Sequence, residues 1–365
     1  MTASQLPTRG EVRSAVTDKP ETVPSRGRRK AVRGTQGRAG WLFVSPALVI
    51  LVLFLVIPIL LALYISFTRW TGFTTLFASN GPKWVGLSNY RQLLTTNGLT
   101  RLTFATAVRN NFWFVVFTVP LQTALSLGLA VLVNDRFLKG KSFFRTAFYF
   151  PSVTGSIAIS LVFLFLFQGN GAINKILSTF GITGPNWLIS TNGVFWNILS
   201  VFGVNPNNPP GWATHTFWGI RWWDWLAGPS VGMCVVIILI VWTTSGTYML
   251  MFLAALQNVS EEVEEATLID GATSWQRFRL VTVPMLRPTV VLVLTLGMMG
   301  TWQVFDQITI FGPNNPSIAT PAYQSYAQSF NNFSFGIGAA MAFLLFLLIV
   351  VLTYLQRKLI PEDIT

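Results

Sequence analysis

A single acidic residue, Asp306, lies in the apolar run of residues 289–311. Trp302 and Gln303 precede it, and helical spacing predicts that Gln303 and Asp306 share one face of a helix. A carboxylate, an amide and an indole ring could bind a polar solute, because a charge within a membrane span usually faces a bundle interior or an aqueous cavity. The alternative is that Asp306, near one end of the run, is hydrated or bonded to the backbone.

No catalytic constellation accompanies these polar groups. The chain holds one histidine and one cysteine, which leaves no disulfide framework and no metal cluster. It has no glycine-rich loop followed by Lys and Ser or Thr, so it cannot cradle ATP phosphates by itself. A membrane-embedded enzyme would need clustered carboxylates or histidines near one face, and these are absent from the sequence. We predict a chain without catalytic residues, metal or bound cofactor.

A second concentration of charge interrupts the apolar sequence at residues 258–288. Five of the thirteen acidic residues fall between Glu261 and Asp270, with long apolar runs on both sides. Because such a segment cannot lie in hydrocarbon, it is predicted to be a loop at a membrane face.

The local signals of this loop are those of two short helices. Ser260 is a favourable N-cap and the acids fill the first turn, where the helix dipole favours them. Gly271 is a predicted helix stop, and a second helix is expected from about Ala272 to Val281. Two short helices that meet at a glycine would form a protruding surface that another protein could bind. From charge alone, a solvated acidic loop is the alternative.

The composition defines the elements that must position these groups. Of 365 residues, 52% are hydrophobic and only 10% are charged, and the mean hydropathy is +0.53, far from the soluble average of about 25% charged. This predicts an all-α polytopic membrane protein with six transmembrane helices. The predicted transmembrane domain covers residues 41–358. Its spans are residues 41–67, 108–133, 146–167, 230–256, 289–311 and 335–354, the third interrupted at Pro151 and Gly155.

The basic residues predict the orientation of the spans. Residues 1–40 are predicted to be a disordered basic tail, residues 359–365 are a short C-terminal tail, and 18 of the 25 basic residues lie on the side of the termini and the 258–288 loop. By the positive-inside rule, that side is cytoplasmic. The five cations between Arg69 and Arg109, with no acid among them, are an exception to this bias. Because most of the basic residues flank the spans on one side, the net charge of +12 indicates topology rather than nucleic-acid binding.

A tryptophan-rich stretch, residues 190–229, is predicted on the outer side. Five tryptophans lie within fourteen positions: Trp212, Trp218, Trp222, Trp223 and Trp225. Tryptophan at a membrane boundary is ordinarily an interfacial anchor. A docking surface for another protein and a platform that stacks on sugar rings are the alternatives.

The charged loop carries a resemblance to a known family. The sequence Glu265-Ala266-Thr267, Asp270-Gly271-Ala272, followed by Gln276, Phe278, Pro284 and Pro288, resembles the EAA loop of carbohydrate-type ABC importer permeases. That family includes the larger permease of the maltose importer. The second alanine of the motif is Thr267 here. The resemblance covers about residues 41–358 but not the tryptophan-rich stretch, which is an insert relative to the family.

The resemblance implies a division of labour among several chains. A cytoplasmic ABC ATPase dimer, which binds ATP and Mg, would hold the cytoplasmic loop as a coupling helix; a second homologous permease would complete the pathway, and an extracytoplasmic solute-binding protein would deliver a sugar. Membrane lipid is the remaining partner. The residues implied in ATPase coupling are Glu264, Glu265, Ala266, Thr267, Asp270, Gly271 and Ala272.

The resemblance also implies a solute pathway through spans three, four and five. The matching positions are Ser152, Ser156, Trp242, Thr243 and Thr244, together with Trp302, Gln303 and Asp306. Hydroxyls, an amide, a carboxylate and indole rings suit a polyol. Ser and Thr in membrane spans are also common helix-packing groups, and that alternative stays open for each of them.

The sequence therefore predicts a non-catalytic permease subunit of an ATP-driven importer of a di- or oligosaccharide. A secondary transporter or channel for a small polar solute, working without an ATPase, is the rival. Its marks would be ionisable pairs within the spans or an inverted repeat. The sequence holds one acid in a span and no visible repeat.

Overall fold

The computed structural model of the chain describes residues 36–360, except residues 77, 136, 206, 207, 313 and 314, and it does not describe the side chains of residues 36–39, 261 and 264. The chain divides into two units, one up to Pro58 and one from Ile59 onward. Most of the predicted tail of residues 1–40 lies outside the described residues, as do residues 361–365. The disorder predicted for the tail therefore stays a prediction.

The described part of the first unit is helical. Helix α1 covers Gln36–Leu51 and is followed by a π-helical turn at Val52–Val56. The helix thus begins at Gln36 rather than at Trp41, where the apolar run begins. Helix α2, Ile57–Ser66, starts at the boundary between the two units.

The second unit is built almost entirely of helices. They are α3 (Ser88–Leu94), α4 (Leu99–Asn134), α5 (Lys141–Val153), α6 (Ser156–Phe167), α7 (Ala172–Thr179), α8 (Val194–Val201), α9 (Trp222–Trp225), α10 (Val231–Leu256), α11 (Glu261–Ile269), α12 (Ser274–Arg277), α13 (Val283–Met285), α14 (Arg287–Trp302), α15 (Asp306–Phe311), α16 (Pro321–Tyr326) and α17 (Phe335–Leu359). Two antiparallel pairs of two-residue strands, β1 (Thr68–Arg69) with β2 (Lys83–Trp84) and β3 (Thr216–Phe217) with β4 (Ile220–Arg221), are the strands of the described chain.

Six helical segments of the described chain are long and apolar enough to cross a membrane. They are Gly40–Ser66, Leu99–Asn134, Ser156–Thr179, Val231–Leu256, Arg287–Phe311 and Phe335–Leu359. The predicted all-α polytopic class with six spans is therefore confirmed.

Helix α4 is longer than a bilayer requires. Its 36 residues begin at Leu99, before the predicted start at residue 108. At about 1.5 Å per residue it is roughly 54 Å long, whereas the hydrocarbon core is about 30 Å thick. It contributes Phe114, Phe104 and Val133 to three different buried apolar clusters. The core of the second unit is thus arranged along α4.

Two of the spans are broken helices. The interruption predicted near Pro151 and Gly155 lies between α5 and α6, where Thr154 is extended and Gly155 is the N-cap residue of α6. The span predicted at residues 289–311 is also divided, because α14 ends at Trp302 and α15 begins at Asp306. Thr320 Oγ1 donates to the Val304 carbonyl at 2.8 Å and so satisfies one backbone group that the break leaves free.

A buried asparagine joins the end of α2 to the start of α17. Asn89, on α3, donates from Nδ2 to the carbonyls of Ser66 and Thr68, both at 2.8 Å. Gly336, in the first turn of α17, lies against strand β1, which begins at Thr68. A Cβ atom at this position would be 1.9 Å from the Thr68 carbonyl oxygen. The backbones touch here because Gly336 has no side chain.

The insert, residues 190–229, has a small core of its own. The rings of Trp196 and Trp223 stack with centroids 4.0 Å apart, and Ala213 and Ala227 are buried beside them. Trp212, by contrast, is 63% exposed. The tryptophans of the insert therefore divide between core and surface, so no single role predicted for them covers the set.

The insert is attached to α3 and α4. Trp113 Nε1, on α4, donates to the Trp225 carbonyl at 2.8 Å, and Trp218 Nε1 donates to the Leu93 carbonyl at 3.0 Å. Within the insert, Arg221 forms an exposed ion pair with Asp224 at 2.9 Å, and the hydrogen bond to this carboxylate raises the pKa of Arg221.

Candidate functional site

Two adjoining cavities of about 270 and 250 Å³ form a polar groove between α4, the α5–α6 break, α10 and the α14–α15 break. They share Thr244, Tyr248 and Gln307. The polar side chains that line this groove are Gln122, Ser152, Thr154, Ser156, Thr243, Thr244, Thr247, Tyr248, Thr301, Gln303, Asp306 and Gln307.

The structure brings six of the eight predicted pathway residues to the groove. Ser152, Ser156 and Thr243 line one cavity, Gln303 and Asp306 line the other, and Thr244 lines both. Trp242 and Trp302 line neither.

Asp306 joins the two broken spans. It is the first residue of α15, and its Oδ2 atom accepts a hydrogen bond of 2.6 Å from Ser156 Oγ, at the first residue of α6. A carboxylate at the start of a helix is also favoured by the helix dipole. The predicted common face of Gln303 and Asp306 is not a helical face, because α14 ends at Trp302 and α15 begins only at Asp306, yet both side chains reach the same cavity.

Ser152 holds α5 against α10. Its hydroxyl donates to the Thr243 carbonyl at 2.6 Å and accepts from the Thr247 amide at 3.2 Å. Gly246 allows this approach, because a Cβ atom there would lie 2.3 Å from the Phe148 carbonyl oxygen. The hydroxyl of Ser152 thus makes the packing contact that was the alternative to solute binding.

Gln122 forms the floor of the first cavity. Its Oε1 atom lies 2.8 Å from Thr244 Oγ1, and its amide nitrogen points to the bare Cα of Gly297. The residue is 1% exposed, and Nε2 has no hydrogen-bond partner among the described residues. A buried amide donor without a partner is costly, and it is suited to a ligand that supplies an acceptor.

Two predicted residues lie elsewhere. Trp302 is 2% exposed and packs in the cluster that contains Phe104 and Met341, because its position at the end of α14 turns it away from the groove. Trp242 is 44% exposed and its ring lies 5.7 Å from that of Phe163, outside the groove. Neither indole is placed to stack on a solute in the groove.

Six polar lining residues escaped the sequence analysis: Thr154, Thr247, Thr301, Gln122, Tyr248 and Gln307. The last three had a signal in the sequence. Gln122 is an amide in a long apolar run, Tyr248 lies one helical turn after Thr244, and Gln307 directly follows Asp306. A search for every polar residue within an apolar run would have found all three.

Chemically, the described lining of the groove is a set of hydrogen-bonding groups. Hydroxyls, amides and one carboxylate can bind several hydroxyl groups of a solute at once. Among the described lining residues there is no Lys, Arg or His. The arrangement suits recognition and passage of a polar molecule.

The second site is the loop at residues 258–288. Helix α11 ends in a Schellman motif: the Gly271 amide donates to the Leu268 carbonyl and the Ala272 amide to the Thr267 carbonyl, both at 3.1 Å. Gly271 has φ +71°, the left-handed conformation that glycine adopts without strain. The predicted turn lies at this glycine.

The second helix of the loop begins later than the predicted Ala272. Thr273 caps α12 in a reciprocal capping box: Thr273 Oγ1 accepts from the Gln276 amide at 3.3 Å, and Gln276 Oε1 accepts from the Thr273 amide at 2.8 Å. Gln276, one of the motif residues, therefore fixes the start of this helix. Ser260 precedes α11 with extended backbone but makes no capping hydrogen bond through its side chain.

Replacement of Thr273 by alanine is expected to loosen the second helix of the loop. Loss of an N-cap costs about 1 kcal/mol, so amide exchange at residues 274–282 should become about fivefold faster. Hydrogen-exchange measurements on the protein in lipid nanodiscs give the exchange rates of these amides. Ser274→Ala, one position further and outside the capping box, is the control. Equal acceleration in both variants would contradict the role given to Thr273.

The loop exposes apolar side chains, although its C-terminal end is packed in the core. Leu268, Ile269, Trp275 and Leu280 are between 60% and 87% exposed. Leu286, at the end of the loop, is 1% exposed and packs with residues of α4 and α10. Exposed apolar groups on an anchored loop are typical of a surface that another protein covers.

Six apolar spans, a polar groove between two broken helices and an anchored loop with exposed apolar groups are the features of a membrane permease. The sequence profile of the family described as "Binding-protein-dependent transport system inner membrane component" matches residues 122–362. The chain belongs to this family. It is accordingly a multi-pass inner membrane protein of ABC importer type.

The similarity to relatives extends over nearly the whole chain. The lactose transport system permease protein LacF of Rhizobium radiobacter is 30% identical over 87% of this chain and 92% of its own length. The trehalose/maltose transport system permease protein MalF of Thermococcus litoralis is 29% identical, over 88% and 94%. The arabinooligosaccharides transport system permease protein AraP of Bacillus subtilis is 28% identical, over 88% of both.

The fold is also that of a solved transporter. The crystal structure of a bacterial ABC transporter involved in the import of the acidic polysaccharide alginate superposes with a TM-score of 0.66 and 16% identity, over 90% of this chain and 98% of that one. At this identity the likeness establishes the fold alone.

Proposed function

We propose that this chain is one of two permease subunits of an ATP-driven saccharide importer, and that an ABC ATPase holds its 258–288 loop. The observation that carries the proposal is the form of the loop. Leu268, Ile269 and Trp275 are exposed on two short helices, which meet at a glycine turn, and Leu286 anchors the end of the loop in the core. Because the end of the loop is anchored in the core, a displacement of the loop would also move the spans that it connects.

Within the loop, the coupling residues are those of the EAA pattern. Glu265, Ala266 and Asp270 are exposed and available to an ATPase, whereas Gly271 shapes the turn. Thr267 and Ala272 supply the backbone hydrogen bond that closes the turn. Glu264, whose side chain lies outside the described residues, is included by its place in the pattern.

The polar groove is this chain's half of the solute pathway. It lies at the junction of two broken spans, where a change in their relative position would open or close it. Ser156, Thr243, Gln303 and Asp306 would contact solute, and Gln122 would donate from the floor. The second permease supplies the facing half.

The solute class follows from the relatives. Their names assign lactose, trehalose or maltose, and arabinooligosaccharides to them, so a di- or oligosaccharide is proposed for this chain. Multiple hydroxyls on such a solute match the hydroxyls and amides of the groove.

The remaining assignments complete the assembly. Both termini and the 258–288 loop lie in the cytoplasm, where the basic residues concentrate. The chain itself is non-catalytic, and ATP and Mg bind at the ATPase subunits. An extracytoplasmic binding protein delivers the solute on the opposite side, the spans contact membrane lipid, and nucleic acid has no part.

Purification from membranes in mild detergent tests the assembly. We expect one sister permease and two ATPase copies per copy of this chain, and saccharide uptake by proteoliposomes only with Mg-ATP on the loop side and binding protein on the other. Uptake that needs no ATP and follows an ion gradient would instead establish the secondary transporter.

A further inference from the structure

The polar groove has an unbalanced charge. Asp306 is the one carboxylate among its described lining residues, and no cation lines it. The Oδ2 atom is held by Ser156 at 2.6 Å, whereas Oδ1 accepts no hydrogen bond from the described chain. One carboxylate oxygen is thus held in place and the other is free to accept from a solute hydroxyl.

We propose that the groove admits uncharged saccharides and that Asp306 excludes acidic ones, such as oligosaccharides of uronic acids. This rests on the proposed function, which it refines by naming the charge class of the solute. Asp306 is a specificity-determining residue in this scheme, because it contacts the solute and sets which charge can occupy the groove.

The neutral inventory of the groove supports an uncharged solute. Gln303 and Gln307 can each donate and accept, the Tyr248 phenol can do both, and Gln122 Nε2 is a buried donor without a partner. These groups replace the water around sugar hydroxyls without adding charge. A carboxylate on the solute would find amide donors but no guanidinium or ammonium group in the described lining.

Electrostatic repulsion gives the expected size of the selection. Two like charges on the order of 6 Å apart, at an effective dielectric constant of about 20, repel by enough to weaken binding more than about tenfold. A solute that carries several carboxylates brings at least one of them near Asp306 whichever way it enters.

The test compares two solutes with the same sugar backbone: trigalacturonic acid and its fully methyl-esterified form, in which each carboxylate is replaced by an uncharged methyl ester. The complete importer, with its sister permease and ATPases, is placed in nanodiscs without binding protein. Saturation-transfer NMR, which detects weak binding, gives an apparent Kd for each. We expect the ester to bind at least about tenfold more tightly than the acid, and Asp306→Asn to reduce that ratio to about threefold or less.

Two variants control the charge and the position. Asp306→Glu keeps the charge and should retain the discrimination, and Asp135→Asn makes the same chemical change in an exposed turn outside the groove and should leave it unaltered. Asparagine can still accept from Ser156, so the break between α14 and α15 should persist. A ratio near one in the native importer, an unchanged ratio in Asp306→Asn, or saturation of neither solute would each overturn the proposal.

ATP-driven uptake, measured on the same preparation with its binding protein, separates this proposal from the function on which it rests. If saccharide uptake still depends on ATP but the importer binds the acid and the ester equally well, the proposed role of Asp306 is wrong and the proposed importer function stands. Loss of the ATP requirement removes both.

Discussion

Valine in place of Gly271 is expected to lower ATPase retention and solute uptake at least about tenfold while the spans stay folded. Gly271 has φ +71° and closes the Schellman motif at the end of α11. A β-branched residue in the left-handed region costs roughly 1–3 kcal/mol, so the turn should open and the two loop helices should lose their relative orientation. About 1.4 kcal/mol of lost ATPase affinity is a tenfold change.

The measurements are the amount of ATPase that co-purifies with the permease and the rate of uptake into proteoliposomes. The matched control is Gly181→Val, because Gly181 has φ +73° and closes the same motif after α7, with nothing within 4 Å of a Cβ atom at either glycine. Equal losses in both variants would mean that general strain is responsible. Full uptake by Gly271→Val would remove the loop from the coupling mechanism.

Alanine in place of Gly336 is expected to destabilise the second unit by about 3 kcal/mol or more. The added Cβ atom would lie 1.9 Å from the Thr68 carbonyl oxygen and 3.0 Å from Asn89 Nδ2. Backbone cannot move aside as a flexible side chain can, so α17 must shift and the two hydrogen bonds of Asn89 must weaken. Overpacking against backbone belongs to the upper range of single-substitution effects.

Thermal unfolding of the purified protein and the fraction that elutes as a single species in mild detergent measure this effect. Gly128→Ala is the control: it makes the same change within α4, where a Cβ atom meets nothing within 4 Å. It should be neutral or slightly stabilising. Similar melting of the two variants would show that the contact between α17 and β1 adjusts freely.

The turn at Gly271 could be predicted from the sequence because its cause is local. A Schellman motif involves residues within a few positions of the glycine, and the acidic helix before it has its own start and stop signals. The capping box from Thr273 to Gln276 was equally local and was missed, although its Thr-x-x-Gln spacing is visible. Its omission placed the start of the second loop helix at Ala272 instead of Ser274.

The groove could be predicted only in part, because its geometry depends on contacts between distant segments. Asp306 stands out in the sequence as an acid in an apolar run, but its bond to Ser156 joins residues 150 positions apart. Trp302 illustrates the limit: its spacing from Asp306 is helical, yet α14 ends at Trp302 and the indole is buried away from the groove. Periodicity describes a face only as long as the helix continues.

Gln122 was missed for a different reason. The single amide in the apolar stretch of residues 112–133 carries no periodic signal, and its importance comes from Gly297 on another span, whose missing side chain leaves room for the amide. Such a complementary pair of positions becomes visible only when the two helices are packed.

The length of α4 has a mechanical consequence. Helix α4 contacts the insert at Trp113, the groove at Gln122 and the packing around Leu286 at Val133, and Pro120 lies between the first two contacts. Proline has no amide hydrogen to donate, so the hydrogen-bond ladder of α4 is interrupted there. Gln122 and Val133 lie on the same side of Pro120, so a tilt of α4 beside the loop reaches the groove, whereas Pro120 is the point at which the helix can bend between the groove and the insert.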